Sequence, residues 1–437
     1  MQVTVSLNLE LPSSGDINEL ESLVLEAGRR AMVDALRAAC KEYEEVVTEC
    51  PNCHSQLLQS EGTNKRVVLC IFGRVELTMR RLHCEECGHR FRPADTFLSC
   101  LEGANVSAKL KQACVLAGIS WPYKTAATVL KELCGAQISD ETVRLLTAEV
   151  GKVEMQEQME RAEKIINPTA SDVRRKREAD LSQPISTKDS SPDLLMVGLD
   201  GGWVASRDQK GGMEGKIGVI ASEVESIGSG RRRLSRRRYV ATFKDSKQLG
   251  VLAYGAASEL VGEDAGEQVV VGDGANWIKS ETELHFPRAV KILDWPHLER
   301  AVKRAIRASL PGKKKQKERQ EVYQKVTEPL WRGKVDEALE HLVGLRSQEG
   351  EELVTALGEA IRYVQGQRDW IGDYQEWQDE GYPIGSGLVE RAVELVINRR
   401  LKRQGMRWCR VNADAVIVLR VRVINDEWEA PNLRLAA

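Results

Sequence analysis

Two apolar runs, each ending in an Asp-Gly pair, constrain this chain more than any other feature: LLMVGLDGGW from residue 194 and QVVVGDGANW from residue 268. Runs this apolar, without polar alternation, read as strands covered on both faces. Around them lie the alternating segments GKIGVIASEVESI and RRRYVATFKD, the amphipathic SKQLGVLAYGAASELVG and a further apolar run, AVKILDWPH. From Leu298 to about Gln378 the pattern is helical, and GSGLVERAVELVINRRLKRQG opens a last long helix. A three-strand meander followed by βα units predicts a mixed α/β sheet.

The chain ahead of this region is built differently. Residues 1–48 carry an amphipathic helix or helix pair, with apolar side chains at Leu20, Leu23, Val24, Ala27, Met32, Leu36 and Ala39. Residues 49–98 hold two Cys-x-x-Cys pairs, Cys50/Cys53 and Cys84/Cys87, flanking RVVLCIFGRVELTMRRL, which alternates about a Phe-Gly turn as a β-hairpin does. Each pair can supply half of a tetrahedral zinc site, so residues 49–98 are expected to form a structural zinc ribbon. His54, His83 and His89 are substitute ligands within reach. Residues 99–166 contain short helices punctuated by GISWP and GAQIS. These fit a helix-turn-helix DNA-binding module, and a small helical bundle nearly as well. Residues 167–193 are polar and rich in Ser, Pro and charge, as an exposed linker would be. The region 194–437 then forms the last domain.

The 437 residues suffice for two or three cores, and no run is long and apolar enough to span a membrane. The N-terminus lacks the basic flank and apolar core of a secretory signal, so a cytoplasmic protein is expected. A net charge of -2 does not by itself suggest a nucleic-acid partner. Charge is uneven, however: RRRLSRRR places six arginines, Arg231, Arg232, Arg233, Arg236, Arg237 and Arg238, in eight positions. Arginines so crowded repel one another unless an anion such as DNA phosphate neutralises them.

Asp200 and Asp273 are the natural reactive candidates. Each follows an apolar strand and precedes glycine, which lets a ligand or a backbone approach. Two strand-end carboxylates on neighbouring strands suit Mg²⁺ (or Mn²⁺), and a two-ion site would need a third acid. Glu390 in the last helix is the best candidate, with Glu394 one turn later as its rival. Downstream, Arg399, Arg400, Lys402 and Arg403 form a candidate phosphate-binding cluster.

The blocks VGLDGGW, VVGDGANWI, LDWPHLERA and YPIGSGLVERAVELVINRRLKRQGMRW resemble, in that order, those of bacterial insertion-sequence transposases, the ISKra family being the nearest type. The resemblance implies an RNase H-like core with an Asp-Asp-Glu triad, here Asp200, Asp273 and Glu390. It also implies an Asp-x-x-His block, here Asp294 and His297 as supporting residues, and a helical insertion at 298–384. It further implies Mg²⁺-dependent cleavage and transfer of double-stranded DNA, both element ends and target. Synapsis of two ends would call for a homo-oligomer, and a bacterial, nucleoid-associated location follows. A non-catalytic zinc-ribbon DNA-binding regulator, and an RNase H-like nuclease without strand transfer, are the alternatives.

Overall fold

A computed structural model describes residues 2–11, 15–101, 105–168, 194–222, 224–226, 232–234, 236–261, 266–345, 354–403 and 405–428. The expected linker thus lies almost wholly outside the described residues, as does Arg231. The chain divides into two compact units, 1–153 with 429–437, and 154–428.

In the first unit, one 29-residue helix, Ile17–Glu45, starts at Asp16, whose carboxylate accepts the N–H groups of Asn18 and Glu19. It packs Val33, Leu36 and Cys40 on a hairpin of β1 (Leu58–Cys70) and β2 (Gly73–Cys84), to which the short β3 (Arg90–Phe91) adds. The Phe-Gly turn is present, with Gly73 at φ 137, where a side chain would be strained. Three helices follow, Ala108–Ser120, Tyr123–Cys134 and Asp140–Ile166, the last crossing the unit boundary at residue 153, with a separate core centred on Leu110, Cys114, Leu130 and Val143. Ser139 caps the third, its Oγ accepting Thr142 N–H at 3.1 Å.

The second unit is a mixed α/β structure. Its five-stranded sheet has the order β10-β9-β4-β5-β8, from β4 (Leu194–Val204), β5 (Met213–Ala221), β8 (Arg237–Thr242), β9 (Glu267–Gly272) and β10 (Val290–Leu293). β5 runs antiparallel to both β4 and β8, while β4, β9 and β10 are mutually parallel. The doubly apolar β4 and β9 occupy interior positions, as continuous burial of Leu195–Val197 and Val269–Val271 demands. A two-stranded arm, β6 (Val224–Ser226) and β7 (Arg232–Leu234), stands apart from this sheet.

β4 does not end at Asp200. It continues to Val204 because β5 pairs with it along that whole length, Asp200 opposite Ile217 and Val204 opposite Met213. The helical region between β10 and the helix Gly387–Leu401 is anchored by an aromatic cluster. Trp295 meets Trp331 and Tyr374 at centroid distances of 4.8 and 4.9 Å, and Tyr374 meets Trp377 at 5.1 Å. The Tyr374 hydroxyl donates to Leu293 O at the end of β10, at 2.9 Å.

The helix Gly387–Leu401 lies on the sheet through glycine; it is not the last helix, as the sequence had suggested, because the chain breaks at Cys409 into a further buried helix, Arg410–Ile424. Alternation along β4 puts Gly198, Asp200 and Gly202 on one face. A Cβ on Gly198 would lie 3.3 Å from Val389 Cβ, and one on Gly202 would lie 2.9 Å from Val393 Cγ1 and 3.1 Å from Ile397 Cδ1. Gly202→Val is therefore expected to destabilise the protein by about 1–3 kcal/mol through overpacking. Urea denaturation would measure this, and unchanged stability would refute the contact.

Candidate functional site

Parallel register brings the strand-end acids to one level. Gly198 pairs with Val271 and Leu293 with Gly272. Asp200, Asp273 and Asp294 therefore follow at equivalent positions on three adjacent strands, spaced by about 4.8 Å per strand. Asp294 N–H still donates to Gly272 O at 2.9 Å, which holds this level just beyond β10. Asp245, the other acid after a strand, accepts Gln248 N–H at 2.8 Å and starts the helix Ser246–Val261.

Glu390 reaches the same corner from the helix Gly387–Leu401. Its Oε1 lies 3.4 Å from Arg300 Nη2 and 3.5 Å from Ser386 Oγ. Ligand atoms of Asp294, His297 and Glu390 all fall within 4.8 Å of one another. Glu394 instead pairs with Arg399 at 3.6 Å, so among the described contacts only Glu390 joins the strand-end group. The helix is α from Gly387 to Val393, π from Glu394 to Asn398, and α again through Leu401. Such π segments recur at functional sites.

Burial and charge set the acid–base character of this corner. Burial, reinforced by the charges of Asp273 and Glu390, pushes the Asp200 carboxyl from its ordinary 3.8 to about 6, against hydrogen bonding from Gly201 N–H. Asp294 is fully buried. Burial alone would raise its pKa, but hydrogen bonds from His297 and Ser386 hold it below the ordinary value. With Asp294 ionised, His297 Nδ1 must be the donor in that pair. The same bond, opposed by burial, raises the pKa of His297. The other Asp294 oxygen, Oδ1, has no hydrogen-bond partner among the described residues.

The glycines beside Asp273 do not open space for a ligand. Gly274, at φ 82, has Gln367 side-chain atoms 2.4 Å from where a Cβ would lie, and a Cβ on Gly272 would lie 2.9 Å from Ile278. Gln367 Nε2 donates to Gly274 O and the Tyr363 hydroxyl to Asp273 O, each at 2.8 Å. Helix Val354–Gly366 and the residue after it thus grip the loop that carries Asp273. Ser386, Arg300, Tyr363 and Gln367 were not singled out in the sequence. Only Ser386 had a local signal, as a helix-opening serine between two glycines.

Among the described residues, the carboxylates of Asp294 and Glu390 and the His297 imidazole converge closely enough to hold a metal ion; Asp200 and Asp273 stand level with Asp294 on the neighbouring strands but outside that group.

The arginine candidates separate. Arg400 is 1% exposed and stacks on Trp408 at 4.8 Å, so it belongs to the core rather than to a surface cluster. Trp408 is buried with it and donates Nε1–H to Leu401 O at 3.1 Å. Arg399, Lys402 and Arg403 are exposed. Arg236 and Arg237 are exposed, Arg237 lying over the Tyr239 ring at 5.7 Å. Arg238 turns inward to Glu427 at 3.6 Å and Asn425 O at 3.3 Å. For Arg232 and Arg233 only the backbone, in β7, is described.

In the first unit, Cys50, Cys53, Cys84 and Cys87 form a compact tetrad. Sγ separations are 3.7 Å for Cys50 and Cys87 and 3.5 Å for Cys53 and Cys84. Four thiolates at about 2.3 Å from one zinc would lie about 3.8 Å apart, so the tetrad fits zinc. The two turns match: His54 N–H donates to Cys50 O and Gly88 N–H to Cys84 O, both at 2.9 Å, with His54 at φ 61 and Gly88 at φ 71. Hydrogen bonds from His89 N–H and the Asn52 amide lower the Cys87 thiol to about 6, which favours ligation.

Purified protein is expected to carry one zinc per chain, and Cys84→Ser to lose it with a lower Tm; metal analysis finding none would refute the site. Asp200 makes a second expectation. Its folded pKa exceeds its unfolded one, so ionising it opposes folding. That penalty is absent below the ordinary carboxylate range and complete above about 6. Asp200→Asn should raise stability by about 1–3 kcal/mol in EDTA at pH 7.5, with no gain near pH 3. Equal Tm changes at both pH values would overturn this account.

No helix among the described residues is long and apolar enough to cross a membrane. No curated protein matches the chain. Among solved structures, the Drosophila P element transposase strand transfer complex is similar at 12% identity, over 76% of this chain and 82% of that chain, with a TM-score of 0.24. That likeness is too slight to bear on fold or function. The uncharacterised protein family UPF0236 matches residues 13–428, and the chain belongs to that family.

Proposed function

We propose that this protein is a DNA transposase with an RNase H-like core, which cleaves and joins DNA through Asp200, Asp273 and Glu390. The observation that carries this reading is the register of β4, β9 and β10, which sets Asp200, Asp273 and Asp294 level beneath the helix bearing Glu390. The sheet order, three antiparallel strands continued by two parallel ones, supports the core assignment. Four sequence blocks in the order of insertion-sequence transposases support the choice of reaction.

Bound to these acids, two Mg²⁺ or Mn²⁺ ions would supply Lewis-acid charge to the attacking and leaving oxygens. The protein's own groups do the rest. Asp200 and Glu390 approach the scissile phosphate from sheet and helix, and Tyr363 fixes the loop of Asp273. Asp294 orients His297 and leaves its Nε2 free for the reacting region. Water cuts the phosphodiester at the element end, and the freed 3′-hydroxyl attacks target DNA. The zinc ribbon and the three helices after it would recognise the ends. Exposed Arg236, Arg237, Arg399, Lys402 and Arg403 would hold the backbone. A homo-oligomer would hold two ends together.

Asp273→Ala and Glu390→Gln should each lower Mg²⁺-dependent strand transfer by orders of magnitude while keeping DNA binding, and Glu394→Gln should stay near wild type. A strand-transfer assay with supplied element ends measures all three. Wild-type cleavage by Asp273→Ala would sink the assignment. Cleavage without joining would favour a nuclease.

A further inference from the structure

We infer that the exposed face of helix Trp295–Ser309 is a phosphate rail, which carries a DNA strand away from the candidate acid site. This rests on the DNA-processing reading, but on different residues from those proposed for the chemistry.

The helix is sharply divided. Leu298, Val302, Ala305, Ile306 and Ser309 are buried, whereas Arg300, Lys303, Arg304 and Arg307 are exposed. Spacings of three and four residues put the four cations on one stripe. From Arg300 to Arg307 the helix rises about 10.5 Å, the length of about three nucleotides of a B-form strand. The stripe has a defined origin, because the helix begins directly after Asp294 and His297 lies in its first turn.

The stripe also borders a cleft. Asp273, His297, Arg300, Arg304, Glu359 and Tyr363 line it, between this helix and Val354–Gly366. One end of the cleft is therefore the candidate reactive corner, and its wall is cationic. The cations now pair with acids: Arg300 with Glu390 at 3.4 Å, Lys303 with Glu299 at 2.8 Å and Arg304 with Glu359 at 2.5 Å. Arg300 is 60% exposed and Arg304 69%, and ion pairs so exposed contribute little. Exchanging a carboxylate for a phosphate at these positions costs correspondingly little. Glu359 then acts as a local competitor of DNA for Arg304.

The test is duplex binding by the full zinc-loaded chain, followed by fluorescence anisotropy without added Mg²⁺ or Mn²⁺ over a range of salt. Arg304→Gln/Arg307→Gln should weaken binding by about tenfold at low salt and reduce the slope of log K against log[salt] by about 2. The loss should be equal on element-end and unrelated duplexes, because phosphates carry no sequence. Glu359→Gln should tighten binding, the opposite sign. An unchanged slope in the double variant, or weaker binding by Glu359→Gln, overturns the rail. Since omitting Mg²⁺ and Mn²⁺ removes cleavage from the readout, failure here is distinct from failure of the catalytic reading, which the Asp273→Ala assay decides.

Discussion

The candidate site depends on how closely one helix can approach one strand. Gly198 and Gly202 flank Asp200 on the same face of β4, and Val389, Val393 and Ile397 fill the space that side chains there would take. Were the strand lined with valine throughout, the helix would ride higher and Glu390 would move away from the strand-end acids. The Ser386 hydroxyl, donating to the buried Asp294, fastens the start of that helix to the end of β10. Two glycines and one hydroxyl thus bring the helix acid to the level of the three strand acids.

That corner is held against its own electrostatics. Burial of Asp200 beside Asp273 and Glu390 opposes ionisation. The surrounding packing, including the aromatic cluster at Trp295 and the grip of Tyr363 and Gln367 on residues 273–274, keeps the acids together.

Much of the architecture was legible because period and burial speak directly. The apolar runs at 194 and 268 gave interior strands, and the Phe-Gly turn gave the hairpin. The mixed sheet followed from the order of these segments. Long-range choices were less visible. Nothing in LLMVGLDGGW showed that β5 would extend pairing past Asp200, or that glycines there and beside Asp273 would receive side chains rather than a ligand. RRLKR does not announce that Arg400 turns inward onto Trp408, because burial of one arginine in a run depends on a partner eight residues away. Arg300 and Tyr363 were missed for the same reason: their partners lie 90 residues distant.

The π segment at Glu394–Asn398 has its own consequence. Arg399 N–H reaches back five residues to Glu394 O, so this helix holds one residue more per turn than an α-helix would. The extra residue acts as a phase shifter between its two ends. Upstream, Val389 and Val393 must face the glycines; downstream, Arg400 must face Trp408 while Arg399 and Arg403 face water. A strictly α-helical path would rotate the downstream half by about 100° relative to the upstream half. Helix periodicity is thus a tuned variable, and a single-residue deletion there would change the facing of the basic end without altering any acid.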